Sequence, residues 1–298
     1  MITDSNGQQI GKWFSQEHMV ESGGSCGLGV GIVKYNNMGQ NALRVSVVIP
    51  VYNEEKYIGA CLESLMHQIE PSDELIVVNN NSTDNSVKII KEFPVKLVHE
   101  KQQGMTPARN RGFNEAQYDI IARTDADTIL PKNWVKRIKK SFAADENLVA
   151  LSGPAEFYDL PELLQNRHLQ TKATWIRVII SYNRVVKRVL KHDCLYGPNY
   201  AFRKVAWDQI KQSVCLNDKD VHEDLDLSIH LAPLGTVKFY RNLVVSSSAR
   251  RWKKPEAHLE YLYRGLKSIR RHKQIGTREQ SRLIMKKLVS KTFFLNRL

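Results

Sequence analysis

Residues 44–65 read RVSVVIPVYNEEKYIGACLESL, and the order of apolar positions in this stretch decides the fold. Arg44 to Val51 is a β-branched run with little polar alternation, as a strand covered on both faces of a parallel sheet requires. Ile58, Leu62, Leu65 and Met66 then recur at helical spacing, which predicts a helix from about Glu55 to Gln68. The alternation continues. Glu74–Val78 predicts a second buried strand, Ser82 a cap for a helix reaching Phe93, and Val95–Val98 a third strand. Thr106 as N-cap with Pro107 at the first helical position opens a helix toward Ala116, and Asp119–Thr124 predicts a fourth strand running into Asp125-Ala126-Asp127. Such a repeated βα pattern specifies an α/β fold with a doubly wound, mostly parallel sheet and helices on both faces.

The pattern changes on either side. Residues 1–43 are rich in Gly, Ser, Asn and Gln around GGSCGLGVG and lack a hydrophobic period, so they are expected to be a poorly ordered extension, with Met38 as an internal start. The first residues carry neither a basic n-region nor an apolar h-region, so no signal peptide is expected. Four well-separated cysteines without a C-x-x-C pair indicate neither a zinc site nor a disulfide framework, and a cytoplasmic setting follows. After the fourth strand the text is less regular. A helix is expected from about Leu163 to Leu190 with Trp175, Ile179, Tyr182, Val186 and Val189 on one face. LYGPNYAFRK suggests a strand entering a turn, HEDLDLSIHLAPLG a helix closed at Gly235, and TVKFYRNLVVSSSA a strand pair.

Net charge is +13, and nearly all of it sits in one place: Arg250 to Leu298 holds 15 Lys and Arg against 3 acidic residues. Leu259, Leu262, Tyr263, Leu266 and Ile269 form one apolar stripe there, and Met285, Leu288, Val289 and Phe293 another. Residues 253–298 therefore read as a basic amphipathic helical tail, either packed on the domain with solvated charges or lying on an anionic membrane surface; nucleic acid is not the expected partner. Hydrophobic residues at 42%, with no run approaching 18 apolar residues, exclude both disorder throughout and an integral membrane protein.

Ligands of doubly wound sheets bind at the carboxyl ends of the strands. No G-x-G-x-x-G follows the first strand and no P-loop occurs, which argues against a dinucleotide dehydrogenase and a P-loop phosphotransferase. The strand ends are instead polar and acidic: Asn53 and Glu54, then Asn79 to Asp84, then Asp125 and Asp127. Asn79 to Asp84 serves equally as a turn with helix cap or as a ligand loop. Asp125 and Asp127, at i and i+2, point to one side and can share a hard divalent cation with a diphosphate. His222-Glu223-Asp224, followed by Asp226, opens a helix; a carboxylate there can be held as a general base, although acids also favour helix N-termini by capping and the macrodipole.

In this order and spacing, VSVVIPVYNEEKYIGACLESL, IVVNNNSTDNS, GMTPARNRGF, ARTDADT, GPNYAFRK and HEDLDLSIHL resemble the family-2 glycosyltransferases of the GT-A fold. The resemblance covers about Arg44 to Trp252, expected to be one glycosyltransferase domain. It implies that Pro50, Tyr52 and Glu54 line a nucleoside pocket, that Asn79 and Asn80 approach the base and ribose, and that Arg109 assists at the diphosphate. It further implies that Asp125 and Asp127 hold Mg2+ or Mn2+ and that Asp224 is the catalytic base of an inverting transfer. The donor would be a UDP- or GDP-linked sugar, and the acceptor a hydroxyl of a glycan or lipid-linked molecule in cell-envelope synthesis. Arg109 as an exposed helical residue in a surface ion pair, and His222 as a cap or packing group, are the competing readings.

Two departures matter. Asn79 and Asn80 stand where the family often has Asp, and an Asn accepts through its carbonyl but carries no charge. Ser248-Ala249-Arg250-Arg251-Trp252 keeps only the Arg-Trp of the Q-x-x-R-W pattern, which argues against a processive synthase. A sugar-nucleotide pyrophosphorylase lacks its expected Gly-rich, basic loop here, and a non-catalytic polyanion- or membrane-binding protein leaves the gathered acids unexplained.

Overall fold

The computed structural model describes residues 2–3, 9–10, 42–159, 172–215 and 221–250, together with 263–265, 267–269 and 272. Nearly all of the expected extension and most of the basic tail therefore lie outside the described residues.

The apolar run becomes strand β1, Val45–Val51, in which all seven residues are buried. Its neighbours are β2 (Glu74–Asn79), β3 (Lys96–His99) and β4 (Ile120–Arg123). β1 pairs in parallel with both β2 and β4, and β2 in parallel with β3. The chain thus builds outward from β1 to β3 and then returns to the other side of β1. The order reverses between β1 and β4, which is where a doubly wound sheet opens a crevice at its carboxyl end.

The first helices are shorter at their starts than periodicity suggests. Helix α1 spans Ile58–Met66 and buries Ile58, Cys61, Leu62 and Leu65. It does not begin at Glu55 because the amides of Glu54 and Glu55 donate instead to Ser86 Oγ (2.8 Å) and Asp84 Oδ2 (3.0 Å). Helix α2 is Ser86–Ile90, not Ser82–Phe93. Ser82 Oγ accepts from the Asn53 amide at 3.1 Å, and Asp84 Oδ1 takes the first helical N–H, from Ser86. The loops after β1 and β2 are thereby braided at the sheet's carboxyl end. Helix α3, Met105–Glu115, starts at Gly104, so Thr106 and Pro107 lie within its first turn, where Pro removes no helical hydrogen bond. Gly112 lets α3 lie on β1; a side chain there would overlap Val48.

The second half adds β5 (Thr128–Ile129), α4 (Trp134–Ala144), β6 (Leu148–Ser152), β7 (Ala155–Phe157), α5 (Lys172–Leu190), β8 (Tyr200–Arg203), α6 (Lys204–Ile210), α7 (Glu223–Leu231), β9 (Thr236–Phe239) and β10 (Val245–Ser247). The seven-stranded sheet has the order β9-β6-β8-β4-β1-β2-β3, and a smaller sheet the order β5-β10-β7. Strand β8 runs antiparallel to β4 and β6, so the turn in Tyr196–Asn199 precedes the strand and lies at the same end as the loops after β1 and β4. The expected order of strand and turn is thus inverted. The strands read from TVKFYRNLVVSSSA both exist but do not pair with each other: β9 joins β6, and β10 joins β7 and β5. Asn199 holds the seam between the two sheets. It is fully buried, accepts from Trp134 Nε1 (2.9 Å), and donates to the carbonyls of Pro154 (3.2 Å) and Leu243 (2.6 Å).

On α5 the expected stripe is a packing face. Ile179 and Val186 are buried, and Tyr182 and Val189 pack against a cluster formed with Leu225 and Ile229 of α7 and with Ile269. Trp175's side chain and residues 160–171 lie outside the described residues. Among the described residues no helix is long and apolar enough to cross a membrane.

Candidate active site

The braided loops, the end of β4, the turn before β8, the start of α7 and the residues after β10 enclose a cavity of about 310 Å³. Its lining includes Pro50, Tyr52 and Glu54, Asp125 and Asp127 at the strand-end floor, and His222, Glu223 and Asp224, with Arg123 reaching both Asp125 and Asp224. Three clusters distant in sequence are thus brought to one cleft, as the acids at the strand ends predict.

Each aspartate at the floor meets an arginine. Arg123, in the buried strand β4, places Nη2 at 2.6 Å from Asp125 Oδ1. Arg250 places Nε at 3.0 Å from Asp127 Oδ2 while its Nη2 pairs with Glu54 Oε1, and its guanidinium lies 4.7 Å from the Tyr57 ring centroid. The Tyr158 hydroxyl donates to the Asp127 carbonyl at 3.1 Å. The Arg250 guanidinium bridges Glu54 and Asp127, so two acids gather at this corner around one positive charge. Two hard oxygen donors at one strand end, open to the cleft, suit Mg2+ or Mn2+.

Asp224 has a different environment. It is 4% exposed, Arg123 Nη1 lies 3.9 Å away, and its Oδ1 has no hydrogen-bond partner among the described residues. Burial first, and the neighbouring Glu223 second, push the Asp224 carboxyl above the usual range against the pull of Arg123. Glu223 is displaced the other way: burial raises it, but His222, Arg109 and Arg123 outweigh burial and favour its charged form. Gly197 leaves room for this arrangement, because a Cβ there would lie 2.9 Å from both Arg123 Nη1 and Asp224 Oδ2.

Other expected site residues are placed as follows. Tyr52 is half exposed at the rim and Pro50 lines the wall. Asn80 reaches the wall, yet its amide donates to the carbonyls of Glu100 (2.9 Å) and Gln102 (2.8 Å) and accepts from the Gly104 amide (2.8 Å). Asn79 accepts from the Ser82 amide at 3.1 Å and meets His99 Nδ1 at 3.2 Å. Both side chains are thus engaged in fastening the loops. Arg109 requires a correction. It is neither exposed in a surface ion pair nor among the residues lining the cleft: it is fully buried, with Nε and Nη2 donating to Asn110 Oδ1 at 3.1 and 3.0 Å. Its charge reaches the site only through space. His222 is the N-cap of α7, its Nδ1 accepting from the Leu225 amide at 3.5 Å, so the capping reading holds. Asp226 faces away from the cleft and accepts from the Cys215 amide at 3.0 Å.

Arg123 and Arg250 were not singled out from the sequence. Arg123 leaves a signal, a charged residue inside an apolar strand two positions before Asp125; Arg250 leaves none beyond its place in the basic run.

Residues 46–210 match the family described as Glycosyl transferase family 2. The chain is 40% identical over 177 residues to the uncharacterized glycosyltransferase YibD of Escherichia coli, covering 53% of this chain and 52% of that protein. It is 33% identical over 132 residues to the putative glycosyltransferase EpsH of Bacillus subtilis, covering 43% and 38%. The chain spans about half or less of the length of these curated relatives. Among solved structures it resembles a mannosyltransferase from Pyrobaculum calidifontis in complex with GDP-Man and Mn2+ (TM-score 0.60, 19% identity, 80% of this chain and 66% of that one). It also resembles Staphylococcus aureus TarS residues 1–349 (TM-score 0.56, 16% identity, 86% and 73%). At these identities the structural likeness establishes the GT-A fold.

Proposed function

The chain belongs to the family-2 glycosyl transferases, and we propose that it transfers a sugar from a UDP- or GDP-linked donor to a hydroxyl of a glycan or lipid-linked acceptor, with inversion at the anomeric carbon. The observation that carries this reading is the meeting, within one cleft, of the arginine-paired Asp125 and Asp127 with the buried carboxyl of Asp224. The similar mannosyltransferase structure, with GDP-Man and Mn2+, supports a nucleotide-sugar donor and a divalent cation.

Asp125 and Asp127 would hold Mg2+ or Mn2+, which when bound neutralises charge on the departing nucleoside diphosphate. Pro50 and Tyr52 form the wall against which a nucleoside stacks, and Asn79 and Asn80 act there by holding the loop. Arg250, released from Asp127, remains close enough to face a phosphate. Asp224 accepts the acceptor's hydroxyl proton as that oxygen attacks the anomeric carbon from the side opposite the leaving group. Its raised carboxyl suits that work, since a base with greater proton affinity takes the proton more readily.

The test is incubation of the full chain with Mn2+ and a panel of UDP- and GDP-sugars, reading nucleoside diphosphate release and the anomeric configuration of the product by NMR. Retention, or no release from any donor with cell-envelope acceptors, would overturn the reading. Attachment to the cytoplasmic membrane face belongs to the same proposal and is supported by the basic segment after Arg250. The described part of its first stripe divides: Ile269 packs on the domain, while Tyr263 is exposed. Cosedimentation with anionic vesicles that weakens with salt and falls on removal of residues 277–298 checks it.

A further inference from the structure

On the face of α7 turned away from the cleft, a second group of side chains converges that the transferase chemistry does not use. Asp226 and His230 stand at i and i+4 and so share one face of the helix. Tyr263–Gly265 and Lys267–Ile269, helical residues near the chain's end, bring His272 against them, and Cys215 arrives from the end of the segment after α6. His272 Nε2 lies 3.1 Å from Asp226 Oδ1 and 3.0 Å from His230 Nε2, and His230 Nε2 lies 3.7 Å from Asp226 Oδ1. A carboxylate oxygen of Asp226, a ring nitrogen of His272 and the Cys215 sulfur all fall within 4.8 Å of one another.

His272 Nδ1 lies 2.8 Å from the Ser268 carbonyl, which can only accept, so Nδ1 carries a proton and Nε2 is turned to the cluster. His230 is 3% exposed, with Nε2 turned toward His272 and Asp226. Asp226 is 1% exposed, and its Oδ1 makes no hydrogen bond of acceptable geometry. Two imidazole nitrogens and a dry carboxylate oxygen therefore point at one place. Donors at about 2.0–2.3 Å from a tetrahedral ion stand roughly 3.3–3.8 Å apart, close to the separations seen. A ring fixed through Nδ1–H to a backbone carbonyl is also the usual outer support of a histidine ligand.

We propose that Cys215, Asp226, His230 and His272 form a structural site for a divalent metal of the zinc type, which clasps the segment that carries His272 to the back of α7. The mixed sulfur, nitrogen and oxygen donor set favours zinc over Mg2+ or Mn2+. This revises the expectation of no zinc site, which rested on the absence of a C-x-x-C pair. Four ligands spread over 58 residues, with one helical i, i+4 pair among them, leave no compact spacing to recognise. The clasp sits behind the base: the His222 amide, at the N-cap of α7, donates to Ser268 Oγ at 2.8 Å, one turn from His272.

The test uses the full chain carrying Asp125→Ala and Asp127→Ala, so that a failure of the donor-site reading and a failure of this one remain separate. Cobalt(II) titration should show about one tight equivalent with the intense visible bands of a tetrahedral ion and a near-ultraviolet thiolate band. Cys215→Ser should remove the thiolate band, and His272→Ala should weaken binding at least about tenfold. Zinc should displace cobalt and raise Tm in the parent but not in Cys215→Ser. His272→Cys, which keeps a ligand, should restore binding lost in His272→Ala. Absence of a cobalt spectrum, or zinc stoichiometry and Tm unchanged by Cys215→Ser and His272→Ala, would overturn the proposal and leave a proton-bridged histidine pair.

Discussion

The floor of the cleft and the start of α7 use the same residue type under different conditions. At the floor, Asp125 and Asp127 each contact an arginine, at 2.6 and 3.0 Å. At the start of α7, Asp224 is buried, with Arg123 Nη1 3.9 Å away and one oxygen without a hydrogen bond among the described residues. Surroundings rather than residue identity separate them: burial and the neighbouring Glu223 outweigh the pull of Arg123 and give Asp224 added affinity for a proton.

The change that should matter most is Asp224→Asn, which removes the proton acceptor and little else. Turnover should fall about 10² to 10⁴-fold, with nucleoside diphosphate affinity held within a few-fold by calorimetry. Stability should move the other way. A carboxyl raised in the folded state contributes stability below its unfolded pKa and loses that contribution as pH rises through the folded value, so at neutral pH the neutral Asn should raise Tm. A lower Tm with turnover preserved would erase the contrast between the floor and the start of α7.

Asp127→Ala attacks the other side. Turnover should drop about 10²-fold at fixed metal and recover in part as Mn2+ is raised, with the fold retained because Asp127 borders the cleft. Full activity in excess chelator would remove the floor's assigned role. Arg123→Met strips the buried cation that both sides share, and denaturant unfolding should show a loss of about 3–5 kcal/mol with an unchanged m-value. A loss below about 1 kcal/mol would mean the two aspartates need no common partner.

A pH series sharpens the comparison without mutation. Turnover should fall on acidification through the raised pKa of Asp224. Turnover that does not change on the acid side would remove that assigned role. The smallest effect is expected from Asp226→Asn, about tenfold at most on turnover, since Asp226 faces Cys215 and His272 rather than the cleft. If Asp226→Asn costs more than Asp224→Asn while its Tm and metal content match those of the parent, the base has been misassigned.

The donor-side half was legible in the sequence because its signals are local. An unbroken run such as Arg44–Val51 has few alternatives to a buried parallel strand, and acids placed just after such strands must meet at one end of the sheet. Helix starts were misread where side chains crossed between loops: Asp84 and Ser86 capture amides near Glu54 some 30 residues away, and no window of sequence contains that bond. The second half was harder for the same reason. β9 and β10 adjoin in sequence yet enter different sheets, and Asn199 ties the carbonyls of Pro154 and Leu243 together at the seam between them. Arg109 misled because a charged residue on a polar-looking helix ordinarily faces water, and this one is enclosed beside Asn110 and Phe113.

Gly197 gives this cleft a genetic signature. Every amino acid that a single nucleotide change can substitute for glycine carries a Cβ, and at this position that atom would lie 2.9 Å from both Arg123 and Asp224. Any replacement must shift one of these two side-chain ends before its own chemistry matters. In a library selected for transfer, position 197 should accept far fewer replacements than Tyr52, half exposed at the rim. Altered acceptor preference should then arise at the rim more readily than in the ground between Arg123 and Asp224.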